Sequence, residues 1–405
     1  MARVFKRNGS QLFRECPAAT GRFGMNDRPL ASIIISSYNY GRFLKDCIDS
    51  ALNQTYPETE VIVVDDASGD DSREIIGTYA NRIKPILRER NEGGRATYNA
   101  VCRLSRGEVI VILDSDDMLC PTAIECAVAR FRDPDVVKVH WPLWEINTHA
   151  QRTGRLDPCR VLPDGDLRKY IARDGPWGYA FPSTSGNAYS RRFLERTLPV
   201  PSGTYGDAYL SMWALVTGTI RSVREPQGFY RIHGHNTYGG RTFDQRVELD
   251  LRHAEHCLAR LRAYYQEQGA QVDTDAWKKE SWYHRLYQSA LDIKAQIPDG
   301  DTFVLVDQDN WATGGRVAGR RAFPFPEFNG EFGGPPADDT VATEELERRR
   351  RAGAAFIVFA WQAFWWLDYY TGFKNYLETR FPCLMRNERL IIFDLRSSNR
   401  AEAEV

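Results

Sequence analysis

Val109-Ile110-Val111-Ile112-Leu113 is an unbroken apolar run, bounded by Gly107 on one side and by Asp114-Ser115-Asp116-Asp117 on the other. A β-branched run of this length reads as a strand buried on both faces, and such strands belong to parallel sheets covered by helices. In open α/β sheets, ligands bind beyond the carboxyl ends of the strands, which is where these three carboxylates emerge. Like charges gathered there are unfavourable unless a cation joins them, and a hard divalent ion with oxygen ligands is the usual one. The D-x-D spacing alone says little. It recurs at Asp133/Asp135, Asp164/Asp166, Asp273/Asp275, Asp299/Asp301 and Asp307/Asp309, and only the last of these also follows an apolar run.

The stretch before the run alternates between two periods. Ser32–Ser36 reads as a buried strand, followed by a helix with Phe43, Leu44, Cys47, Ile48, Ala51 and Leu52 on one face, ended by Pro57. Val61–Val64 is a second strand, closing on Asp65-Asp66, and Ser68 or Asp70 is placed to cap the helix carrying Ile75, Ile76 and Tyr79. Ile86-Leu87 is a short third strand, and Asn91–Gly94 opens a helix through about Leu104. After the acidic run, Pro121 suits the first turn of another helix. Strands alternating with helices over short connections predict a parallel, doubly wound sheet. Three polar turns then fall at strand ends: Ser36–Asn39, Asp65-Asp66 and Asp114–Asp117. No G-x-G-x-x-G follows the first strand and no P-loop signature is present, which disfavours a dinucleotide dehydrogenase or an ATPase.

Charge excludes other classes. Lys+Arg is 53 against Asp+Glu 54 in 405 residues, a balance that gives no support for a nucleic-acid or membrane-surface binder. The eight cysteines include no C-x-x-C pair and read as reduced thiols rather than disulfides or zinc ligands. The basic N-terminus lacks the apolar core of a signal peptide, and the longest apolar stretch, Ala352 to Trp366, falls short of the ~20 residues a membrane span needs. The expectation is a cytoplasmic protein with no transmembrane segment.

IIISSYNYGRFLKDCIDSALNQTYPETEVIVVDDASGDDS, the later ERNEGGRATYNAV and GEVIVILDSDDML resemble, in order and spacing, the nucleotide-sugar half of a family-2 glycosyltransferase with the GT-A fold. The resemblance covers about residues 30–240 and implies a Rossmann-like, mostly parallel sheet. It implies that Ser36, Tyr38 and Asp66 contact base and ribose, with Asp65 supporting, and that Arg95 reaches the diphosphate. It makes Asp114-Ser115-Asp116 the D-x-D element beside ribose, diphosphate and metal, with Asp117 able to share that role. The cofactor it implies is a divalent cation, Mn²⁺ or Mg²⁺, with Asp116, Asp114 and His233 as its ligands; His233 fits the family position better than His235. Asp207, just before an apolar helix, stands where the family has its catalytic base, though an acid at a helix start is otherwise an N-cap.

The implied function is an inverting, metal-dependent transfer of a sugar from a nucleoside-diphosphate sugar, UDP-sugars favoured, to a glycan or lipid-linked hydroxyl acceptor in polysaccharide assembly. A sugar-nucleotide-binding sensor on the same fold is the alternative. A nucleotidyltransferase is weaker, because its Gly-rich basic loop after the first strand is replaced by Ser36-Ser37-Tyr38-Asn39. The expected organisation is a lead-in over 1–28, the catalytic domain over 29–242, a helical connector over 243–299 and a small α/β layer over 300–405. In that layer strands are expected at Phe303–Val306, Phe356–Phe359 and Leu390–Phe393, and an aromatic helix at Trp361–Thr379. Trp311, Arg316, Arg320 and Arg321 are candidates there for holding acceptor; the alternative is a docking layer whose arginines pair with surface acids.

Overall fold

The computed structural model describes residues 28–234, 241–311, 313–328 and 331–396. The chain divides into two compact units: Met1–Asn236 with Ala263–Val272, and Thr237–Arg262 with Asp273–Val405.

In the first unit, β1 (Ala31–Ser37), α1 (Gly41–Leu52), β2 (Thr59–Asp65), α2 (Ser72–Thr78), β3 (Lys84–Leu87), α3 (Gly94–Leu104) and β4 (Val109–Asp114) alternate as the two periods require. β1 lies between β2 and β4, parallel to both, and β3 extends the sheet beyond β2. Register then does the important work. Ser36 stands opposite Val64 on one side and Asp114 on the other, and Ser37 stands opposite Asp65. Turns far apart in the chain therefore meet at one end of one sheet.

The chain continues through β5 (Met118–Leu119), α4 (Ala123–Arg130), β6 (Val136–His140), β7 (Leu143–Ile146), β8 (Arg152–Asp157), β9 (Gly165–Asp166), α5 (Arg168–Asp174), β10 (Asn187–Ser190), α6 (Arg191–Thr197), α7 (Gly206–Thr217), β11 (Thr219–Ser222) and β12 (Gly228–Arg231). The main sheet has eight strands in the order β3-β2-β1-β4-β10-β6-β11-β9, and β10 runs antiparallel to β4 and β6. A second sheet, β5-β12-β7-β8, stands beside it. Val111 and Leu113 pack with Leu44, Cys47 and Ile48 of α1 and with Ile124 and Ala127 of α4, all fully buried. Each such side chain contributes about 1.5–3 kcal/mol on leaving water.

Two local expectations change. α4 begins at Ala123, so Pro121 lies just outside it. Neither Ser68 nor Asp70 is the N-cap of α2, which is Asp71. Asp70 instead accepts the N–H and hydroxyl of Ser72 with one oxygen and the Gly41 N–H with the other. Ser68 Oγ accepts the Asn39 N–H, while Asn39 Oδ1 accepts the Gly69 N–H. The turns after β1 and β2 thus brace each other. A Cβ at Gly41 would sit 1.7 Å from Asp71 Oδ1, so a larger residue here has to displace that side chain.

The second unit holds the first part of α8 (Phe243–Glu267), then α9 (Thr274–Glu280), α10 (Trp282–Gln296), β13 (Thr302–Val306), β14 (Arg316–Val317), β15 (Arg320–Pro324), β16 (Glu327–Phe328), β17 (Glu331–Phe332), α11 (Asp339–Arg351), β18 (Phe356–Ala360), α12 (Trp365–Tyr369), α13 (Thr371–Arg380), β19 (Cys383–Arg386) and β20 (Leu390–Asp394). Its sheet runs β14-β15-β13-β18-β20-β19, with β13 parallel to β15 and β18. Phe243, Val247, Leu286 and Ile293 from the helices before β13 belong to the same core as Phe303, Leu305 and Val358. The expected helix over Trp361–Thr379 is broken into a 3₁₀ turn, α12 and α13. Tyr370 leaves the helical region, with ψ of 73°, because its buried hydroxyl donates to Pro336 O at 2.6 Å. Among the described residues no helix is long and apolar enough to cross a membrane.

Candidate active site

The three acids after β4 diverge in role. Asp117 is 1% exposed; it accepts from Ser185 Oγ at 2.6 Å and from the Arg231 N–H at 2.9 Å. It ties the end of β12 and the turn before β10 to the acidic loop, and is committed to that task. Asp116 is also buried, and its Oδ2 lies 2.7 Å from His233 Nε2. Asp114 ends β4; burial, then Asp116 and Asp207, push its carboxyl up to about 8, against a hydrogen bond from Thr184. Ser115 is buried between them.

His233 follows β12 directly and its side chain is fully buried. Tyr40 meets its ring edge-on at 5.3 Å, and Phe43 lies 5.2 Å away. Burial, reinforced by Asp116 and Asp114, pushes the Tyr40 hydroxyl up to about 12. Arg231 passes beneath: its Nε donates to Asp116 O at 2.8 Å, its Nη2 reaches Asp46 at 3.3 Å, and its guanidinium covers the Phe43 ring at 4.5 Å. Sequence reasoning missed Tyr40 and Arg231 as site residues. The available signal was an arginine closing an apolar strand two residues before the histidine.

At the end of β2, Asp65 is fully buried and pairs with Arg73 Nε at 2.7 Å. Its Oδ2 is buried with no hydrogen-bond partner among the described residues. Asp66 accepts from Arg88 at 2.9 Å and from the N–H groups of Glu92 at 2.9 Å and Gly93 at 2.6 Å. Burial resists its ionisation, but the bonds from Glu92, Arg88 and Gly93 outweigh that and hold its carboxyl below the usual range. Ser36 is half-buried at the end of β1, and Tyr38 is 44% exposed in the turn that follows. Arg95 lies exposed in the first turn of α3 and makes no ion pair among the described residues. His235 lies outside the described residues.

Asp207 is in the first turn of α7 rather than at its N-cap, which is Tyr205, and its Oδ1 accepts the Ala208 N–H at 2.8 Å. Burial raises its carboxyl; the Ala208 hydrogen bond and the Lys138 charge oppose this, and Asp157 adds to it. Its charge acts on Asp114 and helps to raise that carboxyl, so the two acids lie near each other. Tyr98 of α3 connects the two sides. Its hydroxyl donates to Thr184 Oγ1 at 3.1 Å, and its ring lies 2.9 Å from where a Cβ on Gly206 would be.

Asp116 and His233 supply one oxygen and one nitrogen donor. Among the described residues no group of three His, Cys, Asp or Glu side chains could hold a metal by itself. That donor set fits a cation bound by one or two side chains and completed by substrate phosphates, the habit of Mg²⁺-type sites. A separate cavity of about 730 Å³, lined by Tyr56, Glu60, Arg82, Lys84 and Arg106 among others, lies at the opposite ends of β2 and β3.

Fold and acids together define an α/β domain with its carboxylates at the carboxyl ends of parallel strands. The family described as Glycosyl transferase family 2 matches residues 32–198, and that segment is a family-2 glycosyltransferase domain. An uncharacterized glycosyltransferase from Nostoc sp. is 34% identical over 214 residues, which is 51% of this chain and 66% of that one. Chondroitin synthase from Escherichia coli is 42% identical over 107 residues, 26% of this chain and 16% of that one. The chain therefore spans less than two thirds of the length of either relative. A solved mannosyltransferase from Pyrobaculum calidifontis, in complex with GDP-Man and Mn²⁺, has 17% identity and a TM-score of 0.45, covering 71% of this chain and 79% of that one.

Proposed function

We propose that the protein is an inverting, metal-dependent glycosyltransferase that moves a sugar from a nucleoside-diphosphate sugar to a hydroxyl acceptor. The observation that carries this reading is the register that sets Ser36 opposite Asp114 and Ser37 opposite Asp65, so that the polar turns after β1, β2 and β4 meet at one end of one sheet. Ser36, Tyr38 and Asp66 hold the nucleoside. Asp65 supports them from within the fold through its ion pair with Arg73. Arg95 meets the diphosphate from α3. Asp114, Ser115 and Asp116 lie along ribose and diphosphate.

Asp116 and His233 hold a divalent cation, Mn²⁺ or Mg²⁺, together with diphosphate oxygens; Asp114 stands beside them. When bound, the cation neutralises charge on the departing diphosphate. Asp207 takes the proton of the acceptor hydroxyl, whose oxygen bonds to the anomeric carbon as the bond to the diphosphate oxygen breaks. A single displacement inverts the anomeric configuration. UDP-sugars are the favoured donors, a glycan or lipid-linked sugar in polysaccharide assembly the favoured acceptor, and the cytoplasm the favoured location. The cysteines fit a reducing compartment, since all seven described ones are free thiols.

A panel of UDP-, GDP- and dTDP-sugars, with and without Mn²⁺, tests the reading, with the product's anomeric configuration read by NMR. Metal-stimulated transfer with inversion is expected. Tight donor binding with no turnover on any acceptor would leave a binding protein instead.

A further inference from the structure

Lys138 is the one fully buried lysine among the described residues. It sits on β6, between β10 and β11, opposite Tyr189. Its Nζ donates to Ser211 Oγ at 2.6 Å and stands over the Phe181 ring at 4.4 Å and the Tyr189 ring at 5.9 Å. No carboxylate forms a salt bridge with it among the described residues. Ser211 is four residues after Asp207 on α7, so the two side chains lie on one helix face, a turn apart.

A buried amine is costly unless something compensates it. A hydroxyl acceptor and an aromatic face are the compensation that suits an ammonium. If β6 only had to fill space here, an apolar side chain of similar length would do so without that cost. What the amine adds is a hydrogen bond to the helix bearing Asp207 and a positive charge on that side of the helix.

We propose that Lys138 is a positioning residue for Asp207: through its hydrogen bond to Ser211 it fixes the first turns of α7 and with them the surroundings of the Asp207 carboxyl. As far as catalysis is concerned, this rests on the reading of Asp207 as the base. The charged and titratable groups around Asp207 are Asp114 on β4, Tyr98 on α3, Asp157 at the end of β8, Tyr189 on β10 and Lys138. His140 lies two residues along β6 and is kept neutral by burial and by Lys138. Burial pushes the Lys138 amine well below its ordinary pKa, and the Asp207 carboxylate opposes this, so the two groups favour each other's charged form. Removal of the amine is expected to raise the Asp207 pKa, because burial and Asp157 disfavour the anion and Lys138 opposes them.

The test follows the Asp207 carboxyl directly, by ¹³C NMR of the full chain labelled at aspartate Cγ, with Asp207→Asn assigning the resonance. In Lys138→Met the midpoint is expected to rise by about one pH unit or more. Ser211→Ala, a smaller change that keeps the lysine, should reduce kcat about 3–10-fold with donor KM unchanged. An Asp207 midpoint unmoved in Lys138→Met overturns the proposal; if that variant does not fold, unchanged kcat in Ser211→Ala overturns it. Asp207→Asn turnover is read alongside. Normal transfer by that variant removes the base reading, while the titration still decides whether Lys138 controls the carboxyl.

Discussion

His233 Nε2 and Asp116 Oδ2 stand 2.7 Å apart, although 116 residues separate them in the chain. β12 makes the contact by pairing antiparallel to β5, which immediately follows the acidic loop. The Asp117–Arg231 hydrogen bond then fixes how far along β12 the histidine emerges. The two side chains are therefore placed by strand pairing and not by a flexible loop.

This arrangement predicts a shared ligand. Asp116→Asn removes charge at constant size and should abolish Mn²⁺-stimulated transfer. His233→Gln should weaken Mn²⁺-dependent UDP binding by about tenfold or more, in line with the loss of a metal ligand or its close support. Transfer assays with and without Mn²⁺ check the first, and calorimetry with UDP, with and without Mn²⁺, checks the second. Equal UDP affinity with metal or with EDTA would contradict the assignment.

Asp207→Asn separates acceptor chemistry from donor binding. Turnover should fall by ~10²–10⁴, the range for loss of a general base, while UDP and Mn²⁺ affinities stay as they are. If affinity falls and turnover at saturation does not, Asp207 supports α7 structurally and the base lies elsewhere.

Gly206 and Tyr98 give a packing test of the same region. A Cβ at position 206 would lie 2.9 Å from three ring atoms of Tyr98, closer than real contacts allow. Gly206→Ala should cost ~1–3 kcal/mol through overpacking and lower kcat by moving Asp207. Tyr98→Leu in that background should recover stability by giving the methyl room. Thermal unfolding of the single and double variants reads this out, and a fully stable single variant would contradict it.

The strands and acids of the first unit were legible because the run Val109–Leu113 has one physical solution, a strand covered on both faces. The turns after β1 and β2 could be placed, but not their reciprocal bonds through Asn39, Ser68 and Asp70, because a side chain bonds either to its own helix or to a neighbouring turn with equal local logic. Tyr98, Thr184 and Lys138 were not legible as parts of the site. Tyr98 comes from a helix and Lys138 from a strand whose own patterns describe core, Thr184 from a segment that resembles the family's acceptor-side strand, and the pairing of β6 with β10 that brings Lys138 in has no local signal.

Arg320 is open to two readings in the sequence, holding acceptor or pairing with surface acids. It is 6% exposed. It donates to Ile297 O at 2.9 Å and to Lys294 O at 3.2 Å, bonds to Ala318 O, and pairs with Asp299 at 2.9 Å. Trp311 is likewise a core residue, 2% exposed and stacked on Phe243. Arg320→Ala should therefore destabilise the second unit by ~1–3 kcal/mol, the cost of orphaned carbonyls, and leave acceptor KM unchanged. Denaturant unfolding with transfer kinetics on the same variant distinguishes the two roles.

The second unit should also carry a pH signature from His253 on α8. The ring is 4% exposed, and burial, helped by His256, pushes its pKa down to about 4. An unfolded histidine titrates near ~6.5. Below that pH the unfolded chain takes up a proton that the folded chain refuses, so stability is lost as pH falls from about 6.5 to 4 and the loss then levels off. At about 1.4 kcal/mol per unit, the full loss is roughly 3 kcal/mol. Asp307 works the other way: burial pushes its carboxyl up to about 6, so it removes stability as pH rises from its unfolded value near ~3.9 towards 6. The wild-type curve mixes both terms, but the difference between wild type and His253→Leu isolates the histidine. Leucine lacks the titrating ring, so the variant should gain on wild type by roughly 3 kcal/mol between pH 7 and pH 4 in urea unfolding. A constant offset between the two curves would mean that His253 takes its proton in the folded state as readily as in the unfolded one.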